Sequence, residues 1–141
     1  MRIAVASHAH RKLRRLERYI PAAEIADRAP AFAAQCPAES GKIVGVYRND
    51  GTSRDEWIVF MTSGQSAVFD GVWRHISYSD ISSVVWEEDK DVKADEVCLK
   101  LFSRARVTML VNGKNVERGT HDKYEVMMFL ESAIAVAAQD D

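Results

Sequence analysis

EVCLKLF (96–102), RVTMLVN (106–112) and DKYEVMMFLESAIAVAA (122–138) follow one another along the chain and together decide the fold. In the first, Val97, Leu99 and Leu101 alternate with Cys98, Lys100 and Phe102, the period of two that marks a strand with distinct faces. The second is rich in β-branched and long apolar residues and stops at Asn112-Gly113, a turn pair. In the third the period changes. Val126, Phe129, Leu130, Ala133, Ile134 and Ala137 fall on one wide face, as expected of a helix packed on a sheet. Asp122 and Glu125, three residues apart, read as a capping box at its start.

Upstream, the strand signal repeats. KIVGVYR (42–48) leads to Asn49-Asp50-Gly51, EWIVFM (56–61) to Ser63-Gly64, and QSAVFD (65–70) to Asp70-Gly71. WRHISY (73–78) sets Trp73, His75 and Ser77 against Arg74, Ile76 and Tyr78, and SSVVWEE (82–88) runs into an acidic loop. About seven short strands with regular turns predict a mainly β fold, a sandwich or a barrel, closed by a C-terminal helix over residues 42–141.

Residues 1–41 read differently, as an N-terminal helical arm and linker. Ala9, Leu13, Leu16 and Ile20 recur at helical spacing, which predicts a helix over 8–20 with Ser7 as N-cap. Arg11, Lys12, Arg14, Arg15 and Arg18 cover its other side. Pro21 stops this helix or opens the next. Ile25 and Phe32 are available for packing, Pro30 breaks the alanine-rich segment, and Pro37 and Gly41 look like a linker.

A chain of 141 residues, 47% of them apolar, can bury one ordinary core. The net charge of −2 gives no global pull toward nucleic acid or membrane. Residues 1–42, however, hold eight Lys/Arg against four Asp/Glu, and the rest of the chain eleven against seventeen. The start, MRIAVASHAHRKLRRLERYI, places its charges after a very short apolar piece, the wrong order for a secretory signal. No apolar run nears the roughly 20 residues of a membrane span. Cys36 and Cys98 match no metal or redox spacing, and two reduced thiols in a cytoplasmic protein are the expectation.

The WRHISYSDI segment (73–81) is similar to a phrase, W-x-x-I-x-Y-x-D-I, that follows the third strand in the pleckstrin-homology-like superfold in its small bacterial form. Ser82-Ser83-Val84 continues it. Leu99-Lys100-Leu101 and Met109-Leu110-Val111 resemble that fold's last two strands, and Asp122 through Leu130 its closing helix. The resemblance covers residues 42–138 and implies a PH-like barrel capped by the helix. That superfold hosts lipid binders, peptide binders and oligomeric scaffolds, so the likeness does not choose among them. Its inositol-phosphate binders use Lys and Arg from the first two strands and the intervening loop. Here that region offers Arg48 and Arg54, but also Asp50, Asp55 and Glu56, which repel phosphate.

Chemistry is sparsely signalled. There is no nucleophile elbow, no cysteine with a histidine to orient it, and no glycine-rich phosphate loop. His8-x-His10 lies at a helix start, where the spacing does not suit a metal; His75 and His121 read as surface or capping residues. The Glu87–Asp91 run lacks the spacing of a calcium loop. No catalytic residue, cofactor, metal or small-molecule substrate is implied. The expected role is protein interaction, with self-association, and the acidic 87–96 region as counterpart to the basic arm. Arg11, Lys12, Arg14, Arg15 and Arg18 form an anion or partner surface in this reading, and the alternative is peripheral binding of anionic lipid through them, with nucleic acid a weaker fit. Trp73 and Trp86 are core residues or, where exposed, interface anchors.

Overall fold

Wherever the sequence alternates, the chain forms antiparallel sheet. The computed structural model describes residues 4–28, 43–49, 57–87, 92–115 and 119–139. Its strands are β1 (Tyr19–Pro21), β2 (Ile43–Arg48), β3 (Trp57–Met61), β4 (Gly64–Phe69), β5 (Val72–Ser77), β6 (Ile81–Val85), β7 (Glu96–Leu101), β8 (Arg106–Leu110), β9 (Lys114–Asn115) and β10 (Thr120–His121). Its α-helices are α1 (Val5–Leu13), α2 (Ile25–Arg28) and α3 (Lys123–Gln139). The seven anticipated strands are β2 to β8; β1, β9 and β10 were not anticipated.

Strands β1 to β8 make one sheet in the order β1-β2-β3-β4-β8-β7-β6, with β5 also paired to β4. Strand β5 follows β4 along its whole length, so β3 and β8 share the opposite edge of β4, at Gln65–Ser66 and at Phe69. The joint to β8 is narrow, and Asp70 reinforces it. The Asp70 amide donates to the Thr108 carbonyl (3.1 Å), and the Thr108 hydroxyl donates to Asp70 Oδ1 (2.8 Å). The expected barrel is therefore an open sheet. At one end lies β1, whose Pro21 has no N–H to extend a ladder; β6 ends the path on the other side.

The Asp70-Gly71 turn behaves as its residues demand. Both central positions have positive φ, 50° and 85°, the geometry of a two-residue hairpin whose twist matches its strands.

The main core lies between the sheet's inner face and two helices. Phe60, Tyr78 and Phe129 form its aromatic centre, with Phe129 edge-on to Phe60 at 5.2 Å and to Tyr78 at 6.3 Å. The expected face of α3 is inward: Val126, Phe129, Leu130 and Ala133 are buried, and Ile134 and Ala137 pack beside them. Met127 and Val136 are buried as well, because α1 packs on α3 and covers a second side of it.

The N-terminal reading needs correction. The helix spans Val5–Leu13, not 8–20, and its N-cap is Ala4; Ser7 is an exposed residue within it. Val5, Ala9 and Leu13, at i, i+4 and i+8, form the buried stripe. Beyond Leu13 the chain turns, with the Leu16 amide bonded to the Leu13 carbonyl (2.9 Å) and that of Tyr19 to Leu16 (3.0 Å). Tyr19, Ile20 and Pro21 then pair with Tyr47, Val46 and Gly45. A β-sheet edge outbids helix continuation there: three residues gain a ladder, and two gain burial. Pro21, expected to stop the helix or to take the first position of the next, ends β1 and is the N-cap of a single 3-10 turn over Ala22–Glu24 that leads into α2. The expected break at Pro30, the packing of Phe32 and the linker at Pro37 and Gly41 lie outside the described residues.

Strand β1 straddles the sheet edge. Tyr19 joins the inner core, while Ile20 joins a second cluster on the outer face with Ile25, Val46, Val59 and Met61. Gly45 permits this: a Cβ there would overlap the Tyr19 phenol ring. The ladder between β2 and β3 is irregular at Ile43/Gly45, and the shift carries Ile43 to the outer cluster while Val44 and Tyr47 face the inner one.

Candidate functional site

Four features of the surface and its margins bear on function, and the first is buried. At the meeting of β2, the segment before β9 and the start of α3, the Tyr47 hydroxyl donates to Asp122 Oδ2 (2.8 Å) and accepts from the Gly113 amide (2.9 Å). The Asp122 amide in turn donates to the Gly113 carbonyl (3.0 Å). The Asp122 carbonyl receives the first bonds of α3, from Glu125 (3.1 Å) and Val126 (3.2 Å), so its place at the helix start was foreseen; its carboxylate is turned to Tyr47 rather than to the Glu125 amide. Burial, and then the Asp122 charge, pushes the Tyr47 phenol well above its ordinary value. Next to it Asn49 is buried, donating to the Leu110 carbonyl (2.9 Å) and accepting from the Asn112 amide (2.8 Å). Gly113 is glycine because a Cβ would strike the Tyr47 hydroxyl, the Asp122 carboxylate and the Arg18 stem. The Arg18 stem lies beside this junction, with its charge near the Tyr47 phenol.

The second feature is a concavity of about 300 Å³ lined by Glu17, Arg18, Ile20, Arg28 and Arg48. Arg18 and Arg48 are set side by side by an extension of the β1–β2 ladder, in which the Arg48 amide donates to the Arg18 carbonyl (3.0 Å) and Arg18 Nη1 to the Arg48 carbonyl (3.4 Å). The Arg48 guanidinium lies 5.4 Å from the Trp57 ring centre. Arg28, from α2, reaches the Glu17 carbonyl (3.5 Å) and pairs with Glu24 (3.1 Å).

The five cations singled out from the sequence therefore separate. Arg11, Arg14 and Arg15 are exposed and Lys12 half-buried on α1 and the turn after it, while Arg18 belongs to the pocket. His8 and His10 face arginines rather than each other: Arg11 Nη2 lies 3.2 Å from His8 Nδ1, and Arg14 Nη1 lies 3.5 Å from His10 Nε2. Partial burial, with Arg11 and Lys12 nearby, lowers the His8 pKa. Of the acidic counterpart, 88–91 lie outside the described residues, as do Asp50, Arg54, Asp55 and Glu56. Among the described residues no three His, Cys, Asp or Glu side chains gather as a metal site. Cys98 is buried, and Cys36 lies outside the described residues.

The third feature is strand β5. Its residues from Val72 to His75 are exposed, with Val72 61% and Trp73 46% accessible, and among the described residues β4 is its one ladder partner. His75 is exposed with Nδ1 3.0 Å from the Ser66 hydroxyl, not enclosed in a pocket. Trp86 is also exposed, at 41%, but its indole N–H donates to Glu131 Oε1 of α3, so its ring is held against its own chain.

The fourth is a groove of about 240 Å³ between α3 and the start of β6, lined by Tyr78, Ile81, Ile134 and Ala137, with Phe102 71% exposed at its side.

Compared with known proteins, the chain matches no family model, no curated protein and no solved structure. No described helix is long and apolar enough to cross a membrane.

Proposed function

We propose that this chain works by binding rather than catalysis, as a cytoplasmic interaction module of PH-like type that self-associates through β5. The observation that carries this reading is that β5, whose one ladder partner among the described residues is β4, holds Val72 and Trp73 exposed. An open edge with apolar side chains invites a further strand, and proteins usually blunt such edges with charge, proline or cover. The partner is a second copy: β5 set antiparallel to its twin across a two-fold axis extends both sheets and buries both tryptophans, which are common anchors of interfaces.

Light scattering over a range of concentrations tests this. The full chain should show a dimer mass that falls on dilution, and the Val72→Lys/Trp73→Lys double variant should be monomeric with its fold intact. A monomer mass at every concentration would remove the reading.

A second reading, adsorption to an anionic membrane surface, is favoured by the exposure of Arg11, Arg14 and Arg15 along α1 and the turn that follows it. Because Val5, Ala9 and Leu13 are committed to the core, α1 has no apolar face left to insert, and such binding would be electrostatic and salt-sensitive. Co-sedimentation with phosphatidylserine vesicles at low and high salt decides it, and no binding at low salt rejects it.

A further inference from the structure

Gln65 sits in the aromatic core with its side-chain amide unsatisfied. It is fully buried, and among the described residues neither its Oε1 nor its Nε2 has a hydrogen-bond partner. Alternation along β4 places it on the inner face with Ala67 and Phe69. Its cross-strand neighbours are Phe60 and Ile76, both inner-core residues. A carboxamide carries two donor hydrogens and an acceptor oxygen, and leaving all of them unmade in an apolar interior is costly. Buried polar groups are nearly always satisfied, by protein or by ordered water.

Two phenols end close to the same place. Gly45, Phe60, Gln65 and Ile76 form one row across four strands. The Tyr19 ring lies 6.4 Å from that of Phe60, and its hydroxyl donates to the carbonyl of Val44, one residue from this row (3.4 Å). The Tyr78 hydroxyl donates to the carbonyl of Met61, also one residue from it (2.8 Å). Burial pushes the Tyr78 phenol up, and the nearby Tyr19 phenol pushes it further. Both hydroxyl oxygens keep acceptor capacity after these bonds. Three polar tips, from β1, β4 and the 3-10 turn Tyr78–Asp80, thus gather around Phe60.

We propose that Gln65 is the centre of an internal water-binding site, with the Tyr19 and Tyr78 phenols as further partners of the water. Water has the chemistry the site lacks: it accepts from Nε2, and it donates to Oε1 or to a phenol oxygen. A buried water makes about three hydrogen bonds, and this set of groups can supply them. The contact from Tyr19 to Val44 is long, so that hydroxyl can turn toward the water. A larger ligand does not fit the same argument. Gln65, Tyr19 and Tyr78 are all buried, and the rings of Phe60 and Phe129 fill the space between sheet and helix. The water joins three pieces of chain far apart in sequence, and so ties the N-terminal strand β1 to the middle of the sheet.

The experiment is water-oxygen-17 relaxation dispersion on the full chain, which reads long-lived internal waters. It follows the water oxygen, so phenol protons that exchange with solvent do not mimic the signal. The amplitude should fall in Gln65→Met by roughly the contribution of one internal water. That substitution keeps the length of the side chain and removes both polar atoms. In the wild-type chain, the Gln65 Nε2 hydrogens should show a nuclear Overhauser cross-peak to water. An unchanged amplitude in a folded Gln65→Met overturns the proposal. So does a wild-type Gln65 amide with no cross-peak to water, a result that stands even where the variant does not fold. A dry Gln65 would also appear as a clearly higher urea midpoint in Gln65→Met, because the substitution would then remove two unpaired atoms and displace nothing.

Discussion

The two faces of the sheet are closed by different means. The inner face carries an aromatic centre, Phe60, Tyr78 and Phe129, under two helices. The outer face near β1 carries a small aliphatic cluster, Ile20, Val46, Val59 and Met61, with Ile25 from α2 as its cover. One stretch of chain serves both: Tyr19 points into the first and its neighbour Ile20 into the second. The inner face would be expected to set the global stability. The outer face would be expected to decide whether the segment after β1 stays docked, and with it Arg28.

The largest test of that division is Phe129→Ala. It deletes the ring that meets both Phe60 and Tyr78 and leaves a void between sheet and helix. The loss should be about 3–5 kcal/mol, read as a lower urea midpoint with α1 and α3 lost together. If this variant unfolds no more readily than one in the outer cluster, the inner face is not the main core.

The polar junction tests what ties the two ends of the chain together. Tyr47→Phe keeps the ring and removes the hydroxyl, so the buried Asp122 carboxylate and the Gly113 amide both lose a partner. The expected cost is about 2–3 kcal/mol. Tyr78→Phe takes one donor from the Met61 carbonyl and should cost about 1 kcal/mol. The same hydroxyl makes stability pH-dependent. The folded-state phenol is raised, so the unfolded chain loses this proton first, near pH ~10. The contribution is complete below that pH and falls as pH rises toward the folded value. Tyr19, whose phenol burial pushes up to about 12, adds to the same alkaline loss. In Tyr47→Phe, urea unfolding should show a shallower fall above pH ~10.

These contrasts also mark what can be read from residue order. Val97, Leu99 and Leu101 announce β7 because a half-buried strand forces alternation on neighbouring residues. The inward face of α3 is announced for the same reason at a different period. Ala9, Leu13, Leu16 and Ile20 mislead. All four are buried, and their spacing suits one helix, yet Leu16 lies in a turn and Ile20 in a strand. Periodicity registers that positions are buried, not which hydrogen bonds bury them. Tyr47 and Asp122 are 75 residues apart, and a polar contact at that separation leaves no period to detect. Arg18 is visible in the sequence as a cation, and residue order groups it with Arg11, Lys12, Arg14 and Arg15. Its association with Arg28 and Arg48 exists only once β1 has joined β2. A short strand ending in proline, with no alternation to announce it, is what hid that pocket.

The smallest of these effects is the most selective. Ile25→Ala removes the cover of the outer cluster without touching the inner core. A loss of about 2 kcal/mol is expected, the lower end for such a truncation, because the site lies near the surface and can partly collapse. What distinguishes it from Phe129→Ala is where the loss falls. Hydrogen exchange should quicken at Tyr19–Arg28 while α3 and the β7–β8 ladder keep nearly wild-type protection, because local openings of low free energy are confined to the segment whose contacts were removed. Uniform loss of protection across the sheet would instead show that the two faces unfold as one unit. Local loss would mean that the position of Arg28, and so the shape of the arginine pocket, is governed by five aliphatic side chains on the far side of β2 from the main core.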